Sequence, residues 1–100
     1  YSDLNSCTFK GVKLSNSKLI GVDLKDAFCS EVQIDEANLE GADLTYANLE
    51  GSNLQNSFFL EANLHGTNFT NANLSDAYLV DANIGKAITK GANLENTVLE

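Results

Sequence analysis

The residues that could do chemistry are few and badly placed for one another. His65 is the only imidazole in the 100-residue chain, and a Ser-His-acid relay would need it beside an activated serine. No second histidine and no cysteine lies within four residues of it, so neither a zinc site nor a nucleophile-base pair is spelled there. It reads as a surface imidazole. Two cysteines, Cys7 and Cys29, have no histidine nearby. The fourteen acids offer paired carboxylates, but a hydrolase built on such a pair needs a cleft. Whether any cleft exists depends on how the chain positions its side chains, and that is dictated by a repeat.

Ala37-Asn38-Leu39-Glu40-Gly41 is followed by two close copies, and the pattern extends in both directions. Taking every fifth residue from Leu4 as a centre, eighteen of the twenty centres are Leu, Ile or Phe, the exceptions being Cys29 and Thr89. Two residues before each centre stands a small or β-branched residue, and no insertion breaks the phase, so 1–100 is a single domain without a linker. A period of five matches neither the 3.6 of a helix nor the 2.0 of a strand. A short extended segment closed by a corner can satisfy it, because the small residue and the centre then share one side. Gly11, Gly21, Gly41, Gly51, Gly66 and Gly91 occupy the fifth slot, where a corner needs a permissive backbone, and Ser6, Asn56, Asn71, Asp76 and Asn96 there are turn formers.

This Ala-(Asn/Asp)-Leu-x-x run resembles the pentapeptide repeat proteins over the whole chain. The resemblance implies an all-β fold, a right-handed parallel quadrilateral β-helix, in which four pentapeptides make a coil and twenty units make five coils. At a strand spacing of about 4.8 Å the column would stand roughly 24 Å tall. It would be filled by Leu and Phe and leave no catalytic cleft, which points away from an enzyme and from any cofactor or metal. The family also implies a structural role for the asparagines of the second slot, hydrogen-bonded to nearby backbone and to stacked neighbours. These are Asn38, Asn48, Asn53, Asn63, Asn68, Asn73, Asn83 and Asn93, joined by Asp3, Asp23 and Asp43. Asn68-Phe69-Thr70 and Asn73-Leu74-Ser75 match the glycosylation sequon, as a repeat this rich in Asn, Ser and Thr will by chance.

Stacking by twenties can be checked on the outward slots. Most are polar, and eight are apolar: Phe28, Phe58, Tyr78, Ile88 and Val98 before a centre, and Ile20, Leu60 and Val80 after one. Six of them, Ile20, Phe58, Leu60, Tyr78, Val80 and Val98, share one face, which supports the coil length and marks a contact surface for a protein partner or another copy. Phe28 and Ile88 share a second face, and each precedes an undersized centre, Cys29 or Thr89. A regular register keeps Phe28 and Ile88 outside. Cys7 and Cys29 then point inward with Cα atoms about 8 Å apart, beyond disulfide reach, as two buried thiols.

The net charge of −8, with six lysines and no arginine, disfavours direct contact with nucleic acid or an anionic membrane. Between Asp26 and Asp81 lie ten acids and no lysine. Some pentapeptide repeat proteins are thought to imitate DNA's charge, so the resemblance supplies an alternative function, an acidic decoy for a DNA-handling enzyme such as a type II topoisomerase. Its residues would be Asp3, Asp23, Asp43, Glu40 and Glu50, although Asn63 and Asn83 continue the aspartate column without charge.

No apolar run reaches a membrane span's length and no leader is seen, so the chain reads as soluble, with the cytoplasm favoured over a lumenal or secreted setting. It begins at Tyr1, already in the last slot of a unit, and spells no capping helix at either terminus. Flanking sequence, or another copy stacked end to end, is expected to cover the first and last layers. The first reading of function is therefore a non-enzymatic structural or protein-interaction module.

Overall fold

In the computed structural model, which describes residues 4, 6 and 8–99, the five-residue period becomes a chain of corners. Every described fifth-slot residue has a positive φ, from 58° to 63° where it carries a side chain and from 67° to 71° where it is glycine. From Gly11 on, each corner is closed by a bond from the small residue's N–H to the carbonyl of the preceding centre, as from Ala47 to Leu44 at 2.9 Å and from Ala62 to Phe59 at 2.9 Å. A positive φ at the third residue of a four-residue turn is the type II arrangement, which is why glycine and asparagine recur there.

Between corners, the residue before each centre forms a parallel bridge to the residue twenty positions on, as in Asp23 to Asp43 to Asn63 to Asn83. Four such columns run along the molecule, so one coil takes twenty residues and presents four faces. Adjoining coils are joined by three backbone bonds per unit. For the pentapeptide around Leu44 these are Asp43 N–H to Val22 O at 2.9 Å, Leu44 N–H to Asn63 O at 2.8 Å and Tyr46 N–H to His65 O at 2.9 Å. The short strands expected from the sequence contract to a single bridging residue, and among the described residues no bridge lengthens into a ladder. With a corner every five residues, one pair is all that fits between turns.

The centres and small residues of the three middle coils form one continuous core. Leu39, Leu44, Leu49, Leu54, Phe59 and Leu64 are fully buried, with Ala37, Ala42 and Ala47 between them. Hydroxyls in the small slot are satisfied within the column: Ser52 donates to Cys29 O at 2.9 Å and accepts from Val32 N–H at 3.1 Å, and Thr67 donates to Leu44 O at 2.7 Å. Among the described residues, no buried side-chain polar atom lacks a partner.

At Phe28-Cys29 the register is regular: Cys29 is buried while Phe28 bridges Thr8 and Asn48 with its side chain exposed. Cys7 lies outside the described residues, as does Asp3. The end coils differ from the middle. Leu4, Phe9, Leu14 and Leu19 are half-buried, and Ile84, Thr89, Leu94 and Leu99 are exposed.

Candidate docking face

One of the four columns reads Lys18, Asn38, Phe58, Tyr78, Val98. Its last three residues place apolar side chains on successive coils, and at the adjoining corner Leu60 and Val80 occupy successive coils too, tied through Glu61 N–H to Val80 O at 3.0 Å. Phe58 is 50% exposed and tilts onto Tyr78 with ring centroids 6.2 Å apart, a favourable aromatic geometry. Tyr78, Leu60 and Val80 are half-buried, and Val98 is exposed. Five of the six expected face residues are thus brought together. Ile20, 45% exposed, stands on the same face but two coils from Leu60, with Asn38 and Glu40 in the coil between. Phe28 and Ile88 sit in another column with Asn48 and Asn68 between them, so the second apolar face is two isolated side chains.

The second-slot amides form a ladder. Asn38, Asn48, Asn53, Asn63, Asn68, Asn73, Asn83 and Asn93 each accept through Oδ1 from the N–H two residues on, at 2.9–3.1 Å. Asn83 Nδ2 donates across the coils to Asn63 Oδ1, and Asn53 Nδ2 to Gln33 Oε1, both at 3.3 Å. The sequon residues Asn68 and Asn73 belong to this half-buried ladder, so they serve the turn.

The acidic residues do not converge. Asp23 and Asp43 bridge each other on one face and accept through Oδ1 from the N–H groups of Lys25 and Thr45, at 3.1 and 3.0 Å. Lys25 Nζ approaches Asp43 Oδ2 at 4.0 Å, an exposed pair of small energetic weight. Glu40 stands at the corner beside the apolar face, and Glu50 at the diagonally opposite corner. Ten acids close together in sequence therefore wind around all four sides.

One aromatic contact escaped the sequence reading. His65 packs against Tyr46 edge to face, with centroids 5.5 Å apart and planes at 85°. The partner is nineteen residues away along the chain and one coil away in space, so a search of nearby residues misses it. The legible signal is the glycine at 66, twenty beyond Tyr46: a Cβ there would lie 2.4 Å from the ring. Gly66→Ala is expected to swing Tyr46 off His65, seen as loss of ring-current shifts on the imidazole protons. Unchanged shifts would mean that the glycine does not hold this contact. Among the described residues, no group of three or more His, Cys, Asp or Glu could hold a metal ion.

The family model for a pentapeptide repeat region matches residues 2–89. The chain belongs to the pentapeptide repeat family. A search of curated proteins finds no match. Among solved structures, the pentapeptide repeat protein Rfr23 from the cyanobacterium Cyanothece 51142 is 34% identical, with a TM-score of 0.59 over 98% of this chain and 64% of its own. HetL, a pentapeptide repeat protein involved in heterocyst differentiation regulation in Nostoc sp. strain PCC 7120, is 25% identical, with a TM-score of 0.63 over 98% of this chain and 60% of its own. Trypsin-treated QnrB1, a plasmid-mediated fluoroquinolone resistance protein, shares the fold at 14% identity and a TM-score of 0.53, over 96% of this chain and 69% of its own. This pentapeptide repeat chain spans less than two thirds of the length of the first two.

Proposed function

We propose that this pentapeptide repeat protein is a non-enzymatic interaction module. In this reading it is one right-handed quadrilateral β-helix of about five coils, spanning 1–100, whose flat face around Phe58 and Tyr78 docks a protein partner or another copy. The four bridge columns and the twenty-residue coil support the geometry. The observation that carries the function is the apolar cluster of Phe58, Leu60, Tyr78, Val80 and Val98. It is raised on a hydrogen-bonded backbone, so few degrees of freedom are lost when a partner covers it.

Phe58→Ser with Tyr78→Ser tests this, because both side chains point outward and their removal leaves the core intact. Lateral self-association seen by sedimentation is expected to survive high salt and to disappear in the double variant. If the chain does not pair laterally, proteins retained by the wild type are expected to be lost from the double variant. Association and retention that are identical in the two proteins would sink the reading.

The decoy alternative would instead show salt-sensitive binding that depends on Glu40, Asp43 and Glu50. It ranks second because Glu40 and Glu50 occupy opposite corners and Asp43 already serves a turn.

A further inference from the structure

Although the acids as a group wind around the column, two of them meet at one corner. Glu31 N–H donates to Glu50 O at 2.8 Å, joining adjoining coils, and the Glu31 side chain lies over Gly51, where an added Cβ would stand 3.4 Å from its Cγ. The stem of one carboxylate is thereby laid beside the backbone that carries the other. Both side chains are exposed, and among the described residues neither carboxylate has an ion-pair or hydrogen-bond partner. A cation placed between them would be attracted by both.

The same corner holds a groove of about 350 Å³, lined by Phe28, Ser30, Glu31, Asn48 and Glu50, with Lys10 on the coil before. Ser30 sets this corner apart. It is only 9% exposed, yet its hydroxyl makes no hydrogen bond among the described residues, whereas the buried hydroxyls of Ser52, Ser57 and Thr67 all donate to backbone carbonyls. Since no wholly buried side-chain polar atom among the described residues lacks a partner, the Ser30 hydroxyl still reaches solvent, and it does so at the groove it lines. Asn48 Oδ1 accepts from Glu50 N–H at 2.9 Å, which fixes the backbone under the second carboxylate and leaves Asn48 Nδ2 without a partner. Phe28 is 42% exposed. Coils lie on both sides of this floor: Phe28 is bridged by Thr8 and by Asn48, and Ser30 O accepts from Gly11 N–H at 3.1 Å.

An aromatic face, two unpaired carboxylates and an open hydroxyl suit one chemistry, a flat cation with several donors. We propose that this groove takes the guanidinium of an arginine side chain on a protein partner. The planar cation stacks on Phe28, donates to the Glu31 and Glu50 carboxylates and reaches Ser30 Oγ with a further N–H. Lysine fits less well, because a compact ammonium cannot lie flat on the ring and fork between two carboxylates. Asn48 Nδ2 is a donor that a bare cation would not use, and it suits a carbonyl of the segment carrying the arginine. Lys10 opposes the cation from the neighbouring coil. The column of Phe28 lies across the molecule from that of Phe58, so this site is independent of the apolar docking face.

Amide chemical shifts of the isotope-labelled chain, titrated with a blocked Gly-Ser peptide carrying one central arginine, test this. Saturable shifts are expected at Ser30, Glu31, Glu50 and Gly51, weakening as salt screens the charges. The same peptide with citrulline, close in shape but uncharged, should leave them unmoved, and the lysine form should bind about threefold more weakly. Glu31→Gln and Glu50→Gln should each weaken binding about tenfold and Phe28→Ser about threefold, while Lys10→Gln should tighten it. Guanidinium chloride at matched ionic strength should bind several times more weakly than the arginine peptide. All four substitutions are at exposed positions, and circular dichroism checks that each variant keeps its coils. Phe58→Ser with Tyr78→Ser should leave the titration unchanged, so that failure of this site and failure of the apolar face are read separately. No saturable shift at this corner, equal binding of the citrulline peptide, indifference to both glutamine variants, or guanidinium binding as tightly as the peptide would overturn the proposal.

Discussion

Replacing Phe59 by alanine is expected to lower stability by about 3–5 kcal/mol, the range for removing a fully buried aromatic ring. The ring is wholly inaccessible and belongs to the same core as Leu39, Leu54, Leu64 and Leu79. The alanines of neighbouring small slots are themselves buried and too short to close the gap, so most of the cavity persists. For a domain of this length that loss corresponds to a fall in melting temperature on the order of 20 °C. The effect should depend steeply on position along the column. Leu94→Ala removes a side chain that is already 43% exposed in the last coil, and is expected to cost roughly 1 kcal/mol or less. Coils couple only to their neighbours, so a defect in the middle separates two halves whereas one at the end merely frays. Urea unfolding followed by circular dichroism distinguishes the cases. Equal losses for the two variants would show that the column is not the single cooperative core described here.

Much of this architecture was legible because a period of five has so few physical solutions. The inward pair two residues apart and the corner in the fifth slot were written in residue types, and the twenty-residue coil, implied by the family resemblance, was supported by the spacing of the outward apolar residues, which puts Phe58 beside Tyr78. What was not legible depends on geometry across coils. Spacing by multiples of twenty put Ile20 on the right face, but the same spacing sets Glu40 between it and Leu60, so sharing a face did not make them neighbours. The acidic stretch looked like a belt in one dimension, but its length exceeds two coils, so its members face in every direction. His65 found Tyr46 across a coil boundary that no local motif crosses. Turn propensity also failed at particular corners: Glu31, Glu36, Tyr46, Glu61 and Lys86 adopt positive φ although none is a preferred turn former. Their neighbours' core and bridge bonds impose the corner, and local preference gives way.

That imposed strain leads to the second large effect, at Gly41. Its φ is +67°, and a Cβ built there meets nothing within 4 Å, so a substitution tests backbone conformation without steric complication. Alanine is expected to cost about 1 kcal/mol, the penalty for an L-residue in the left-handed region. Valine should cost about 2–3 kcal/mol, because a β-branched side chain is a severe misfit at positive φ. The reciprocal change, Glu36→Gly at a corner with φ 61°, should add up to about 1 kcal/mol, less what the more flexible unfolded chain takes back. Glycine corners relax to 67–71° whereas corners with side chains stay at 58–63°, close to the ideal left-handed value, so the side chain itself narrows what the corner tolerates. Thermal unfolding of the three variants should rank Glu36→Gly above wild type, wild type above Gly41→Ala, and Gly41→Val last. If valine at 41 were as stable as glycine, the corner would be free to leave the left-handed region, and the five-residue period would need another cause.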